Sequence, residues 1–257
     1  MTSPIVFEAL RLLIPRDVPG VGKRRIGGRG DGGYVLLDRL HPSQVVMSFG
    51  IGPSVSFDRE LAEDGHTLLM FDHTIDALPG AHPGFTWFRE GVAARSDAGQ
   101  CLHTLAEHMR KLPAGAVDPI LKIDVEGAEW EVFANAPETL LARFAQITVE
   151  FHTLLNLADP AFNAQVQAAL TALCVDFAPV HVHGNNCGPI GFVGGLACVE
   201  TLEVTYARRD LFTTAPSATW YPTPYDSSNY DGLADFPLWF FPFVPGSELA
   251  RLPDLVA

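Results

Sequence analysis

The stretch LKIDVEGAEWEVF, Leu121 to Phe133, decides how the chain is read. Leu121, Ile123 and Val125 alternate with Lys122 and Asp124, which is the period of a strand, and Gly127 breaks it. From Ala128 the apolar residues Ala128, Val132 and Phe133, with Trp130 nearby, recur at helical spacing. Two carboxylates, Asp124 and Glu126, therefore stand where a strand hands over to a helix. In an open α/β sheet, ligands bind at the carboxyl ends of strands, so chemistry is expected there. The competing reading makes Asp124 only a helix cap and lets Glu126 hold the first amides of the helix.

Upstream, Val45 to Phe49 reads as a short strand, followed by Gly50-Ile51-Gly52. A helix over SFDRELAEDG follows, with Ser56 as its cap and Gly65 as its stop. A full dinucleotide fingerprint wants a third glycine at position 55, which is Val55, so a nicotinamide oxidoreductase is disfavoured. Thr67 to Phe71 is the second strand and ends in Asp72, about 20 residues past the glycines, where an acid suits a ribose diol. Phe85 to Phe88 is the third strand, with Glu90 at its end. Asp97 to Lys111 reads as one helix carrying Leu102, Leu105 and Met109 on a stripe and His103 and His108 on its polar side. Downstream come strands over Gln146 to His152, Phe177 to His183 and Ala197 to Ala207, with a helix from Pro160 to Leu173. This alternation predicts a doubly wound, mostly parallel sheet.

The chain has 257 residues, a hydrophobic content of 47% and a net charge of -13. That suffices for one large core and would repel a phosphate backbone, so nucleic acid is not expected as a partner. No run of about 18 apolar residues exists, so neither a membrane span nor a membrane partner is expected. The start, MTSPIVFEALRLLIP, has no basic residues before its apolar stretch and reads as a short amphipathic helix, capped by Ser3 with Pro4 at the first position. Cys101, Cys174, Cys187 and Cys198 lack CxxC spacing and read as ordinary thiols of a cytoplasmic protein.

Three regions are expected: an N-terminal helix and glycine-rich segment (1–40), the α/β domain (41–207) and a tail (208–257). The glycine-rich segment carries Lys23, Arg24, Arg25 and Arg29 among Gly20, Gly22, Gly27, Gly28, Gly30, Gly32 and Gly33. It reads either as a turn or as a ligand cover. The tail is too rich in proline for a sheet and too poor in charge for disorder. It is expected to wrap over the domain or over a partner subunit, which makes a homo-oligomer through the tail an open expectation.

Three strand ends carry polar pairs at i, i+2 spacing, on one face of each strand: Asp124 with Glu126, Glu150 with His152, and His181 with His183. Asn185 and Asn186 lie just beyond. If those strands end at one crevice, the groups converge. Histidine among carboxylates is the composition of a general-base site or of a divalent-metal site.

LKIDVEGAEWEVF, with SFGIG, FDHT, VEFH and HVHGNN, resembles the FkbM-type S-adenosylmethionine-dependent methyltransferases. RIGGRGDGGYVLLD (Arg25 to Asp38) and YPTPYDSSNYDGLADFPL (Tyr221 to Leu238) narrow the resemblance to the methyltransferase-like branch. The departure is His73, where the family often has proline. The resemblance implies a class I methyltransferase fold, Rossmann-like and doubly wound, with seven strands of which the last is antiparallel. It implies S-adenosylmethionine held by Tyr34, Gly50, Gly52, Asp72, Glu90 and Asp124, with Tyr34 closing over it. It implies methylation of hydroxyl oxygens, on a sugar, a natural product or another small molecule. His152 and His181 are the candidate bases, with Glu150 and Asp124 beside them. Alternatively Mg²⁺ or another divalent metal is held by Asp124, Glu150 and His152. His183, Asn185 and Asn186 are candidate acceptor contacts. Two rival readings remain: a non-catalytic module of the same fold serving assembly, and a metal-dependent hydrolase using the same cluster.

Overall fold

The computed structural model describes residues 2–252, so residues 253–257, the end of the expected tail, lie outside the described residues. A helix α1 (Pro4–Leu10) opens the chain with Pro4 at its first position; Ser3 is the N-cap residue but makes no side-chain bond. A hairpin of β1 (Lys23–Ile26) and β2 (Tyr34–Leu37) follows. Then come β3 (Val45–Phe49), α2 (Ser56–Glu63), β4 (Thr67–Phe71), β5 (Phe85–Phe88), β6 (Ile120–Ile123), α3 (Glu129–Asn135), β7 (Gln146–Phe151), α4 (Pro160–Asp176), β8 (Phe177–Val193) and β9 (Leu196–Arg208). The seven-stranded sheet runs β8-β9-β7-β6-β3-β4-β5. The last strand, β9, lies antiparallel between β7 and β8. No helix among the described residues is long and apolar enough to cross a membrane.

The two faces of this sheet differ. Met47, Phe49, Leu121, Ile123, Ile147, Val149 and Phe151 point into the main core with α1, α3 and α4. The opposite face carries a row in register across four strands: Ser48, Lys122, Thr148 and Thr205. The next row holds Glu150, Glu203 and His183. All of these polar side chains are buried. Burial of polar groups requires partners, and the hairpin supplies several. Gln146 bonds Leu37 through both the Leu37 amide (2.9 Å) and carbonyl (3.1 Å), and Thr205 Oγ1 donates to Val35 O at 2.6 Å.

Several expected boundaries move. Ser56 is the first residue of α2 and Val55 the N-cap, while Gly65 ends the turn at φ +98°. Asp97 to Lys111 is not one helix: Leu102–His103 is a short strand, and Thr104 starts a single turn, Leu105–His108, through a capping box with Glu107. The polar-side reading of His108 fails with it, because that ring is buried and packs edge-on to Phe49 and Phe71. The sixth expected strand runs on to Val193 through two irregularities. The tail lies on its own domain, with Tyr221, Leu238, Phe241 and Phe243 buried and Phe7 stacked on Phe241 at 5.0 Å.

Candidate active site

A cleft of about 600 Å³ opens at the carboxyl ends of β3, β4 and β6, within the usual size of small-molecule sites. Its walls include Gly50, Gly52, Asp72, Gly91, Lys122 and Asp124, with Asp31 and Gly32 at the hairpin turn. Gly50 has φ +72°, and a Cβ there would run into the Asp124 carbonyl oxygen; only glycine fits. Gly52 has φ +58° with open space beside it, which leaves room for a ligand against the backbone. Asp72 Oδ2 accepts from the Ile51 and Gly52 amides at 2.9 and 3.1 Å, and Oδ1 accepts from Thr74. These bonds hold the carboxyl below its ordinary range although burial acts the other way. An ionised carboxylate thus fixes the glycine turn at the cleft wall, its four acceptor positions taken by the Ile51 and Gly52 amides and by Thr74.

Asp124 is not a helix cap. Its Oδ2 accepts from Tyr34 Oη at 2.9 Å and from Lys122 Nζ at 3.4 Å. Tyr34 also contacts Glu150 Oε2 at 3.2 Å. The tyrosine does not close over the cleft: it is buried beneath it, edge-on to Phe57 and under the Lys122 ammonium. Burial, with Asp124 and Glu150 beside it, pushes the phenol well above its ordinary range. Burial, Asp124 and Glu203 do the same to the Glu150 carboxyl. Tyr34→Phe is expected to cost about 1–3 kcal/mol, because the buried Glu150 and the half-buried Asp124 lose their shared donor. Urea unfolding of the variant checks this.

His152 stands at the end of this row. Its Nδ1 donates to Glu129 Oε1 at 2.7 Å, while Nε2 is 3.6 Å from Glu126 and 3.8 Å from Glu150. Trp130 Nε1 and Thr153 Oγ1 both donate to the His152 carbonyl. Two residues flanking the site, Glu126 (φ 55°) and Thr153 (φ 63°), are left-handed without being glycine. For a β-branched threonine that is a true outlier, of the kind functional sites retain. Burial acts to lower the His152 pKa, but the Glu129 hydrogen bond and the surrounding carboxylates raise it to about 9.

The other expected site residues lie elsewhere. Glu90 is 3.1 Å from Lys111 and 3.6 Å from His108, and the cleft is lined by its neighbour Gly91. His181 bonds Asp226 at 2.7 Å, and His183 sits between Glu203 (3.0 Å) and Asp235 (2.8 Å). Asn185 donates to Glu150 at 2.6 Å, and Asn186 bonds the tail at Ser228 and Tyr230. None of these lines the cleft, and neither do Tyr34, Glu129, Glu150 and His152; Tyr34 bonds the cleft residue Asp124, and ligand atoms of Glu129 and His152 lie within 4.8 Å of it. The convergence fails for His181 and His183 because β9 is inserted between β7 and β8, carrying the third pair one strand further away. That motif fastens the tail instead. Glu129, Lys122, Glu203 and Asn229 stand in these networks without any motif in the sequence to mark them. The signal for Glu129 was its place on α3 facing back under Asp124 rather than outward like the exposed Glu126.

The His183 pair makes a stability prediction. Burial alone would lower its pKa, but Glu203 and Asp235 raise it to about 11, above the unfolded value of about 6.5. Its contribution is therefore fully present below about pH 6.5 and declines as pH rises through about 11. His183→Ala is expected to cost about 3 kcal/mol at about pH 6, because it removes the charged partner of the buried Glu203 and of the half-buried Asp235. The deficit should be smaller at about pH 9 than at about pH 6, read by urea unfolding.

A glycine turn, a strand-end acid and a carboxylate-rich third strand end thus surround one cleft of a doubly wound α/β sheet. The family model of the FkbM methyltransferase domain matches residues 37–170, more than half of the chain. The chain belongs to that family of S-adenosylmethionine-dependent methyltransferases. Among curated proteins none matches. Similar solved structures include two methyltransferases. The precorrin-6y C5,15-methyltransferase of Geobacter metallireducens GS-15 is 14% identical, covers 66% of this chain and 83% of its own, and gives a TM-score of 0.34. The 16S rRNA (adenine(1408)-N(1))-methyltransferase of Catenulisporales acidiphilia is 10% identical, covers 72% and 97%, and gives 0.32. Both likenesses are weak.

Proposed function

We propose that the protein methylates a hydroxyl oxygen of a small molecule, with His152 as the base and Glu129 as its orienting partner. The observation that carries this reading is the 2.7 Å bond from His152 Nδ1 to the fully buried Glu129 carboxylate. It assigns the proton of Nδ1 and leaves Nε2 as the atom that takes a proton from an acceptor. When bound, S-adenosylmethionine supplies a methyl group on a positively charged sulfur, so no further activation of the donor is required. The chain's own work is alignment and deprotonation. Asp124, held by Tyr34 and Lys122, gives the cleft a fixed negative wall next to the base. Glu129 stabilises the imidazolium that forms when the hydroxyl proton arrives.

His152 is charged at neutral pH in the free protein, and only its neutral form accepts a proton. Its pKa of about 9 therefore predicts a rate that climbs with pH and levels off above about 9. A kcat/KM profile across that range checks this. A profile flat between about pH 7 and 10 would remove His152 from the role of base.

A second reading has its own support. Ligand atoms of Asp124, Glu129 and His152 lie within 4.8 Å of one another, and Glu129 Oε2 is buried with no partner. These residues suit a divalent ion, with Glu129 in the place expected of Glu150. Such an ion lowers the pKa of a bound hydroxyl. Chelation separates the two: it leaves the rate intact if His152 acts as base, and abolishes it if a metal does. Calorimetric titration with S-adenosylmethionine tests the common ground, since absence of heat would favour the non-catalytic assembly module.

A further inference from the structure

We propose that Asp58 is the carboxylate that receives the α-ammonium group at the methionine end of the cofactor, and that it tells the intact cofactor from fragments lacking that amine. The proposal rests on the chain's membership of an S-adenosylmethionine-dependent family and is independent of which group acts as base.

The first observation is an orphaned oxygen. Two buried carboxyls line the cleft, Asp58 at 3% exposure and Asp72 at 5%. Asp72 has its acceptor positions filled by Ile51, Gly52 and Thr74. Asp58 Oδ1, by contrast, is buried and has no hydrogen-bond partner. Buried polar atoms are nearly always paired, so one left bare on the wall of a ligand cleft marks a place for a donor.

The neighbours of Asp58 do not supply that donor. The residue stands in the first turn of α2, over the polar face of the sheet that carries Ser48 and Lys122. Burial pushes its carboxyl above the ordinary range, while Lys122, Ser48 and its own amide act the other way. None of the three meets Oδ1 in hydrogen-bonding geometry. Lys122 directs its hydrogens to Phe49 O, Gly50 O and Asp124 Oδ2. Ser48 Oγ is itself buried without a partner. A hydroxyl has one proton to give, so turning Ser48 toward the acid still leaves acceptor positions bare.

The second observation is the chemistry of the molecule the family uses. S-adenosylmethionine has two cationic centres. Its sulfonium carries no hydrogen to donate, whereas its α-ammonium is a compact charge with three, as in a lysine head group. A charge-assisted bond from that group both pairs the orphaned oxygen and neutralises a buried charge. Asp58 shares the cleft wall with Gly50, Gly52 and Ser54, so the amine would lie beside the glycine turn, against the start of α2.

The test uses the full chain, calorimetric titration and melting curves. The parent should bind S-adenosylhomocysteine more tightly than its analogue lacking the α-amino group, by about tenfold or more. Asp58→Asn should lose about tenfold or more in affinity for S-adenosylmethionine and S-adenosylhomocysteine alike. It should bind 5′-methylthioadenosine, which has no amino-acid end, as the parent does. Without ligand the variant should melt no lower than the parent, since a buried carboxyl without a donor has been removed. Equal affinity of the parent for S-adenosylhomocysteine and its deaminated analogue would overturn the proposal. A loss confined to S-adenosylmethionine would also overturn it, giving Asp58 to the sulfonium. So would an equal loss toward all three ligands with a lowered Tm, which would make Asp58 a structural counter-charge for Lys122. Unchanged affinity in Asp58→Asn would leave its oxygen to water alone. A parent that takes up none of these ligands would overturn the cofactor reading itself, and the proposal with it.

Discussion

His152→Ala is expected to lower kcat by about 10²- to 10⁴-fold, the range a general base contributes, while S-adenosylmethionine affinity stays within a few fold. The ring lies at the end of the carboxylate row rather than against the glycine turn, so its loss removes the proton acceptor and little of the cofactor cradle. Glu129→Gln is the companion. It keeps the shape and a hydrogen-bonding group but removes the charge that raises the His152 pKa, so its pH profile should shift to lower pH. Single-turnover rates with calorimetry measure both effects. His181→Ala, by contrast, is expected to loosen the tail, since that ring touches Asp226 and not the cleft. A collapse of kcat in a well-folded His181→Ala protein would mean the base has been misassigned.

Gly50→Ala is the most damaging single methyl group the chain can receive. The added carbon meets the Asp124 backbone oxygen, which no side-chain rotation relieves, and φ +72° adds a left-handed penalty. The two strands carrying them are hydrogen-bonded neighbours, with Asp124 N donating to Phe49 O at 3.1 Å, so neither can retreat cheaply. A loss above about 3 kcal/mol is expected, with little folded protein recovered. Gly52→Ala is the informative partner, because space is open beside it. It should fold at a cost of about 1 kcal/mol and lose cofactor affinity, since the new methyl group occupies the space beside the turn. Thermal melting followed by cofactor titration distinguishes the two outcomes.

The fold was legible because its signals are local. Three of the seven sheet strands are apolar runs that end at once in glycine or an acid, Gly50, Asp72 and Asp124, and the strand-to-helix handover at Leu121 to Phe133 lies where the alternation breaks. The cofactor side was legible for the same reason, as Gly50, Gly52 and Asp72 are punctuation marks in short segments. Pairings were not. Asp124 and Glu150 look like strand-end polar groups, yet both meet the hydroxyl of Tyr34, 90 and 116 positions away, from the hairpin that covers the polar face. Nothing in the spacing of HVHGNN reveals that its histidines meet Asp226 and Asp235, or that β9 comes between them and Glu150. The long supposed helix at Asp97 to Lys111 failed because a capping box at Thr104 outweighs a periodic stripe.

That polar face also sets a schedule for folding. Its buried polar rows stay hydrated until every partner on that side has arrived. The partners come from the hairpin before residue 40, from β7 and from β9 near residue 205. Contacts between segments so distant close slowly, because loop entropy is lost before burial rewards it. During synthesis, the apolar cluster of Ile26, Leu36, Val46, Phe57, Leu68, Met70 and Ile120 can therefore close first, and the polar rows of β7 and β9 join the hairpin last.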